Sequence, residues 1–186
     1  MSFELAAKRL RIPLGFLLAA LYLLFAPYYV TPLTLGVGAA IAFVGILVRA
    51  WASGHISKND RLATSGPYAH TRNPLYFGSF LIGAGFAITA HWSLLLLVVA
   101  FWVVIYGPTM ERERRNVSGW FPDAYAVYEK NVPAFVPRPT PWRSADSAAD
   151  EGAFSVPLYM KHGEWKAALG FTAVVAYLCY RLAITT

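Results

Sequence analysis

The sequence predicts an all-α, polytopic membrane protein with about five transmembrane helices and a polar cap at one membrane face. Three observations lead there. Of 186 residues, 57% are hydrophobic and 14% charged, too apolar for an ordinary soluble domain. Several apolar runs approach the roughly 20 residues that cross a hydrocarbon core of about 30 Å. Lys and Arg gather in the segments on one side of these runs and are missing from the loops on the other.

The first helix is expected over 12–30, after the basic residues Lys8, Arg9 and Arg11. A secretory signal begins in the same way, but no small-residue cleavage site precedes Pro27-Tyr28-Tyr29, so a retained helix is expected. The second, 33–50, carries Gly36, Gly38 and Gly45 among alanines, and the third, 75–90, carries Gly78, Gly83 and Gly85. Small residues let helices approach closely in lipid, and a cofactor lying on a glycine face is the alternative. Arg49, near the end of the second helix, is expected to snorkel to the membrane edge or to touch a cofactor or acceptor. Thr89-Ala90-His91-Trp92 turns the third helix into the fourth, 92–106, as a tight hairpin. A cap follows over 107–137, completing a core of residues 1–137. The Pro-rich stretch 132–142 then leads into a linker, 138–163, with a possible interfacial element at Phe154, Val156, Leu158, Tyr159 and Met160. A C-terminal transmembrane helix closes the chain over 164–186.

The loops around 27–34 and 89–93 contain neither Lys nor Arg, whereas Lys58, Arg61, Arg72, Arg112, Arg114, Arg115 and Lys130 fall opposite. By the positive-inside rule the N-terminus and the segments 51–74 and 107–166 are cytoplasmic, and a bacterial inner membrane is the expected location. The net charge of +6 is accounted for by topology and anionic lipid headgroups, without nucleic acid. Cys179 is alone, so no internal disulfide can form. His55 and His70 share no helical spacing, and no metal site is expected.

The segment Gly66-Pro-Tyr-Ala-His-Thr-Arg-Asn-Pro-Leu-Tyr-Phe-Gly78 places a guanidinium, an amide and two phenols directly before an apolar run. Arg72 and Asn73 are costly beside hydrocarbon, and Pro67 and Pro74 restrict the backbone around them, as if to grip a polar molecule at the membrane surface. A second constellation starts at Met110-Glu111-Arg112-Glu113-Arg114-Arg115. Glu111 and Arg115 form a favourable i, i+4 pair, while Glu113 points to nearly the opposite helix face, where it could meet the 66–78 segment.

The order GPYxxxRNPxYxG, helical hairpin, Glu-containing helix end, FxxxYxxY and VPxFxP resembles the superfamily of isoprenylcysteine carboxyl methyltransferases and phospholipid methyltransferases, over residues 45–137. The resemblance implies S-adenosylmethionine bound at the cytoplasmic membrane face. Gly66, Pro67, Tyr68, Arg72, Asn73, Pro74 and Tyr76 match its first motif, Glu113 matches the first of two paired acids, and Tyr125 and Tyr128 lie in its aromatic tail. Asn73 stands where His is usual, and Arg114 where a second Glu is expected. The chemistry of such a cofactor suggests Arg72 for its carboxylate, Glu113 for its amino group, and Tyr68 or Tyr76 beside adenine. Arg72, Asn73 and Glu113 are the expected catalytic residues. Tyr125 and Tyr128, at i, i+3, either contribute to that pocket or pack one helix face.

Methyl transfer from a sulfonium requires alignment and exclusion of water more than a strong base. Asn73 cannot shuttle a proton, which favours an acceptor that needs none removed. The expected acceptor is lipophilic, isoprenylcysteine-carboxylate-like or lipid-like. The alternatives are an NADPH-dependent membrane reductase related to sterol reductases, or a non-catalytic lipid-binding membrane protein.

Overall fold

A chain crossing hydrocarbon must satisfy its own backbone hydrogen bonds, and the apolar runs of this sequence do so as helices. The computed structural model describes residues 3–55, 62–143 and 153–185, with side chains omitted for 3–8 and 11. The elements are α1 (Phe3–Phe25), α2 (Pro32–Ser53), α3 (Pro74–Ala90), α4 (Leu94–Trp120), α5 (Pro122–Asn131), α6 (Val156–His162) and α7 (Trp165–Thr185). Short 3₁₀ turns occur at Ala26–Tyr28 and Gly66–Ala69, and no strand occurs among the described residues. α2, α4 and α7 are long and apolar enough to cross a bilayer, and the apolar stretches of α1 and α3 are shorter. The protein is therefore a polytopic, all-helical membrane protein. Lys58, Arg61 and the 144–152 part of the expected linker lie outside the described residues.

α2 and α3 form the centre. Thr31 caps α2 by accepting the Thr34 amide, while the Thr34 hydroxyl accepts the Thr31 amide, and Pro32 supplies the fixed first turn. The two helices touch backbone to backbone. A Cβ on Gly45 would sit 2.5 Å from the Gly78 carbonyl oxygen, and one on Gly85 would sit 2.5 Å from that of Gly38. At Gly38, Gly45, Gly78 and Gly85 the space is filled by the neighbouring helix, which leaves no room there for a cofactor. Along the same seam, α7 runs antiparallel to α2: Glu164 meets Arg49 at one end, and Leu178 is wholly buried with Ala26, Leu35 and Ala90 at the other.

Two helices, the first and the fourth, depart from their expected bounds. α1 does not begin at residue 12 but runs through Pro13 from Phe3, and it stops at Phe25, where the 3₁₀ turn containing Pro27 takes over. The fourth helix does not end at residue 106. It passes through a π turn at Trp102–Tyr106 and continues to Trp120, carrying the polar segment as its own extension. Pro108 explains the turn: a proline cannot donate into a helical ladder and crowds the carbonyl four residues back, and a π turn widens the helix at that point.

Packed structure also extends beyond the expected boundary at residue 137. The Pro-rich tail lies along residues 68–73, with Arg72 N donating to Pro133 O at 2.9 Å, Arg138 N to His70 O at 2.9 Å and Trp142 N to Ala69 O at 2.9 Å. Thr71 Oγ1 donates to Phe135 O at 2.9 Å. The apolar 154–160 segment contains α6, capped by Ser155 and ended by Gly163 in the left-handed region at φ 68°.

Candidate functional site

The start of α3, the polar half of α4, α5 and the Pro-rich tail converge on a cavity of about 850 Å³. Its size lies in the range of small-molecule sites, about 300–1,000 Å³. Of the residues expected from the sequence, Tyr68, Arg72, Asn73, Pro74, Tyr76, Glu113, Tyr125 and Tyr128 all line it.

The 66–74 segment is held in place before it can hold anything else. Gly66 adopts φ 58°, a conformation that suits glycine, and a Cβ there would strike the His55 ring. Gly66 and Pro67 are not on the cavity wall; they shape the turn that presents Tyr68. Tyr128, 2% exposed, donates to the Tyr68 carbonyl at 2.7 Å, fastening α5 to the turn. Burial pushes both phenols up, so both remain protonated. Asn73 donates through Nδ2 to Ala134 O at 2.8 Å, which commits its amide nitrogen to the tail.

Arg72 is half-enclosed among anionic and phenolic partners. Its Nη1 donates to Tyr125 Oη at 3.1 Å and to Glu129 Oε1. Arg114 lies 3.5 Å from the other oxygen of Glu129 and holds Glu111 through two bonds of 2.8 Å. Glu111 thus pairs with Arg114, at i+3, in addition to the Arg115 field expected from i+4 spacing. Opposite this network, Glu113 accepts from Tyr76 Oη at 2.7 Å, the meeting of α4 with the 66–78 segment that its helix face suggested. Tyr76 packs edge-on against Tyr106, ring centroids 5.4 Å apart, and Tyr106 stacks on Trp102 at 4.1 Å.

Three contributors were not legible in the sequence as site residues. Tyr106 closes the π turn and joins the cavity wall, but in the sequence it only marks the end of an apolar run. Glu129 follows Tyr128 directly, just outside the aromatic motif, and holds Arg72. Arg112 lines the cavity, and its Nη1 is buried with no hydrogen-bond partner among the described residues, as is Arg72 Nε. Arg49 does not snorkel: its Nη1 donates to Leu75 O at 3.3 Å and to Ser79 Oγ, and the remaining edge holds Glu164. An intramembrane arginine does better with fixed partners than with a stretched stem when α3 and α7 supply them at its own depth.

The wall therefore combines cationic donors from Arg72 and Arg112, an anionic acceptor at Glu113, and flat aromatic faces at Tyr68, Tyr76 and Tyr106. Such a set suits a zwitterionic molecule with a planar group.

Comparison with known proteins agrees with this character. Residues 33–123 match the family model described as phospholipid methyltransferase. A cobalt-zinc-cadmium resistance protein of Cupriavidus metallidurans is 37% identical over 117 residues, 59% of this chain and 52% of that one. A nickel-cobalt-cadmium resistance protein of Alcaligenes xylosoxydans xylosoxydans is 34% identical over 117 residues, 60% of this chain and 53% of that one. A protein-S-isoprenylcysteine O-methyltransferase of Schizosaccharomyces pombe is 30% identical over 83 residues, 44% of this chain and 35% of that one. The chain spans about half the length of the first two relatives. No solved structure matches it. The family match and the yeast relative support membrane methyl transfer in general terms.

Proposed function

Since the chain belongs, through residues 33–123, to the phospholipid methyltransferase family, we propose that it transfers a methyl group from S-adenosylmethionine to a lipophilic acceptor at the cytoplasmic face of a bacterial inner membrane. The observation that carries the reading is the gathering, on one cavity wall, of the Arg72 and Arg112 guanidinium groups, the Glu113 carboxylate and a set of tyrosine rings.

The residues fit such a cofactor. Arg72 and Arg112 bring guanidinium N–H groups that suit a carboxylate, Glu113 an acceptor for an ammonium group, and Tyr68, Tyr76 and Tyr106 apolar faces for a purine. When bound, S-adenosylmethionine supplies a methyl group activated by a positively charged sulfur. The protein's part is to orient and to exclude water. Glu129 and Tyr125 fix the Arg72 fork, Tyr76 fixes one oxygen of Glu113, and Asn73 and Thr71 hold the tail over the 66–73 segment. No strong base faces the cavity among these groups, in keeping with an acceptor whose nucleophile arrives without a proton to lose. The cavity is continuous with apolar side chains of Leu75, Val117 and Trp120, a route for a lipid-soluble acceptor while the polar cofactor enters from water.

Calorimetric titration of the detergent-purified protein with S-adenosylhomocysteine, beside NADPH, tests the reading. The first should bind and the second should not. Glu113→Ala should weaken binding about tenfold or more, since a hydrogen bond to a charged group is worth roughly 1.5–3 kcal/mol. Binding of NADPH alone would assign the cavity to a reductase, and binding of neither would leave a lipid-binding protein.

A further inference from the structure

Arg49 presents a charge on the cavity wall for which the reaction above has no use. Its guanidinium is fixed along one edge by α3, through Leu75 O at 3.3 Å and Ser79 Oγ. The other edge, Nε and Nη2, grips Glu164 in a bidentate pair at 2.9 and 2.7 Å. The side chains are only 24% and 13% exposed, so both charges have lost most of their water. Glu164 comes from the junction of α6 and α7, an element that contributes no lining residue to the cavity among those described.

The C-terminal helices are docked by other contacts besides this pair. Ser155 N donates to Gly54 O at 2.9 Å, His162 Nδ1 bonds Ser53 O at 3.0 Å, Tyr177 Oη donates to Leu23 O at 3.2 Å, and Leu178 is wholly buried. A desolvated ion pair contributes little net stability compared with apolar packing of the same volume. What it does provide is a planar, two-pronged cationic edge beside the cavity, pre-oriented by α3 and filled by a carboxylate of the chain itself.

We propose that the Nε–Nη2 edge of Arg49 is the binding site for an acidic oxygen head, carboxylate or phosphate, on a lipid-chain acceptor, and that Glu164 is its resting occupant, displaced when the acceptor arrives. This rests on the methyl-transfer reading for the word acceptor; the anion site itself does not. The internal carboxylate lowers apparent affinity by the fraction of molecules in which it holds Arg49, so a neutral or uncharged lipid gains no entry at this edge while an anionic one competes for it.

The test uses full-length protein in a nonionic detergent, with calorimetric titration by dodecanoate, dodecyl phosphate and dodecanol, and by acetate and inorganic phosphate as heads without a chain. S-adenosylhomocysteine is titrated into the same samples. Wild type should prefer the two anionic amphiphiles to dodecanol, and the tighter of the two names the head. Glu164→Gln should bind the anionic amphiphiles about tenfold more tightly, with dodecanol and S-adenosylhomocysteine unchanged, because the resting competitor has lost its charge. A role confined to docking would leave anion affinity unchanged or lower it. Arg49→Gln should abolish the preference; if it does not fold, Glu164→Gln alone decides. Unchanged anion binding in Glu164→Gln overturns the proposal, as does binding of acetate or inorganic phosphate as tight as that of the amphiphiles. Failure to bind S-adenosylhomocysteine with anion binding intact would instead count against the methyl-transfer reading.

Discussion

Gly45→Ala probes how the α2–α3 seam sets the site. The added Cβ would lie 2.5 Å from the Gly78 carbonyl oxygen and 2.9 Å from Ile82 N and Cγ1. Close carbon–oxygen contacts in proteins settle at about 3.3 Å, so the helices must separate by roughly 0.8 Å. The carbonyl belongs to a helix backbone and cannot rotate aside. Overpacking of this kind costs about 1–3 kcal/mol. Arg49 stands one turn beyond Gly45, and Asn73 and Tyr76 lie just before Gly78, so the same displacement is delivered to the cavity wall. A misplacement of about 1 Å can cost on the order of 100-fold in rate. Gly36→Ala is the matched control, since a Cβ there meets nothing within 4 Å. In a helix interior it should be neutral or stabilising by roughly 0.5–1 kcal/mol. The assay is thermal unfolding in detergent followed by circular dichroism, with S-adenosylhomocysteine affinity measured on the folded fraction. Gly45→Ala as stable as Gly36→Ala, with unchanged affinity, would refute the close seam and its coupling to the site.

Two further substitutions test the fastening of the 66–73 segment. Tyr128→Phe leaves the buried Tyr68 carbonyl without its donor and should destabilise by about 1–3 kcal/mol in denaturant or thermal unfolding, whereas a loss below about 0.5 kcal/mol would mean that α5 is held some other way. Gly66→Ala must adopt φ 58° and bring a Cβ to 2.4 Å from the His55 ring, so it should lower the thermal midpoint; His55→Ala in the same background should recover the steric part and leave a backbone cost of roughly 1–2 kcal/mol, and no recovery would show that the ring is not the obstacle.

The helices were legible because hydropathy reports burial in lipid, and the glycines of α2 and α3 announced the seam they form. The end of the fourth helix was not legible, because hydropathy falls at Gly107 while the hydrogen-bonded ladder continues through the π turn. Within the site, Glu113 could be placed from helix phase alone, since a residue two positions from Glu111 must face the other way. Arg49 could be recognised as an anomaly but not paired. Its partner, Glu164, lies 115 residues away, beyond the Pro-rich tail and the segment that follows it, and no periodicity spans such a separation.

The departure at Arg114 acquires a physical meaning from the same logic. Read as a missing acid, it weakens the case for a site. In the folded chain, however, Arg114 bridges Glu111, through two bonds of 2.8 Å, to Glu129 at 3.5 Å, and Glu129 in turn holds Arg72. Charges alternate along the whole chain of contacts, from α4 through α5 to the 66–73 segment. A second carboxylate at position 114 would face Glu111 and Glu129 with like charge, and it would leave Arg72 to a glutamate with no other cationic neighbour in that network. The arginine therefore keeps Glu129 available as the partner that orients Arg72. Of the two α4 acids on the cavity wall, Glu111 is held by Arg114 within this network, and Glu113 stands apart from it, bonded to Tyr76.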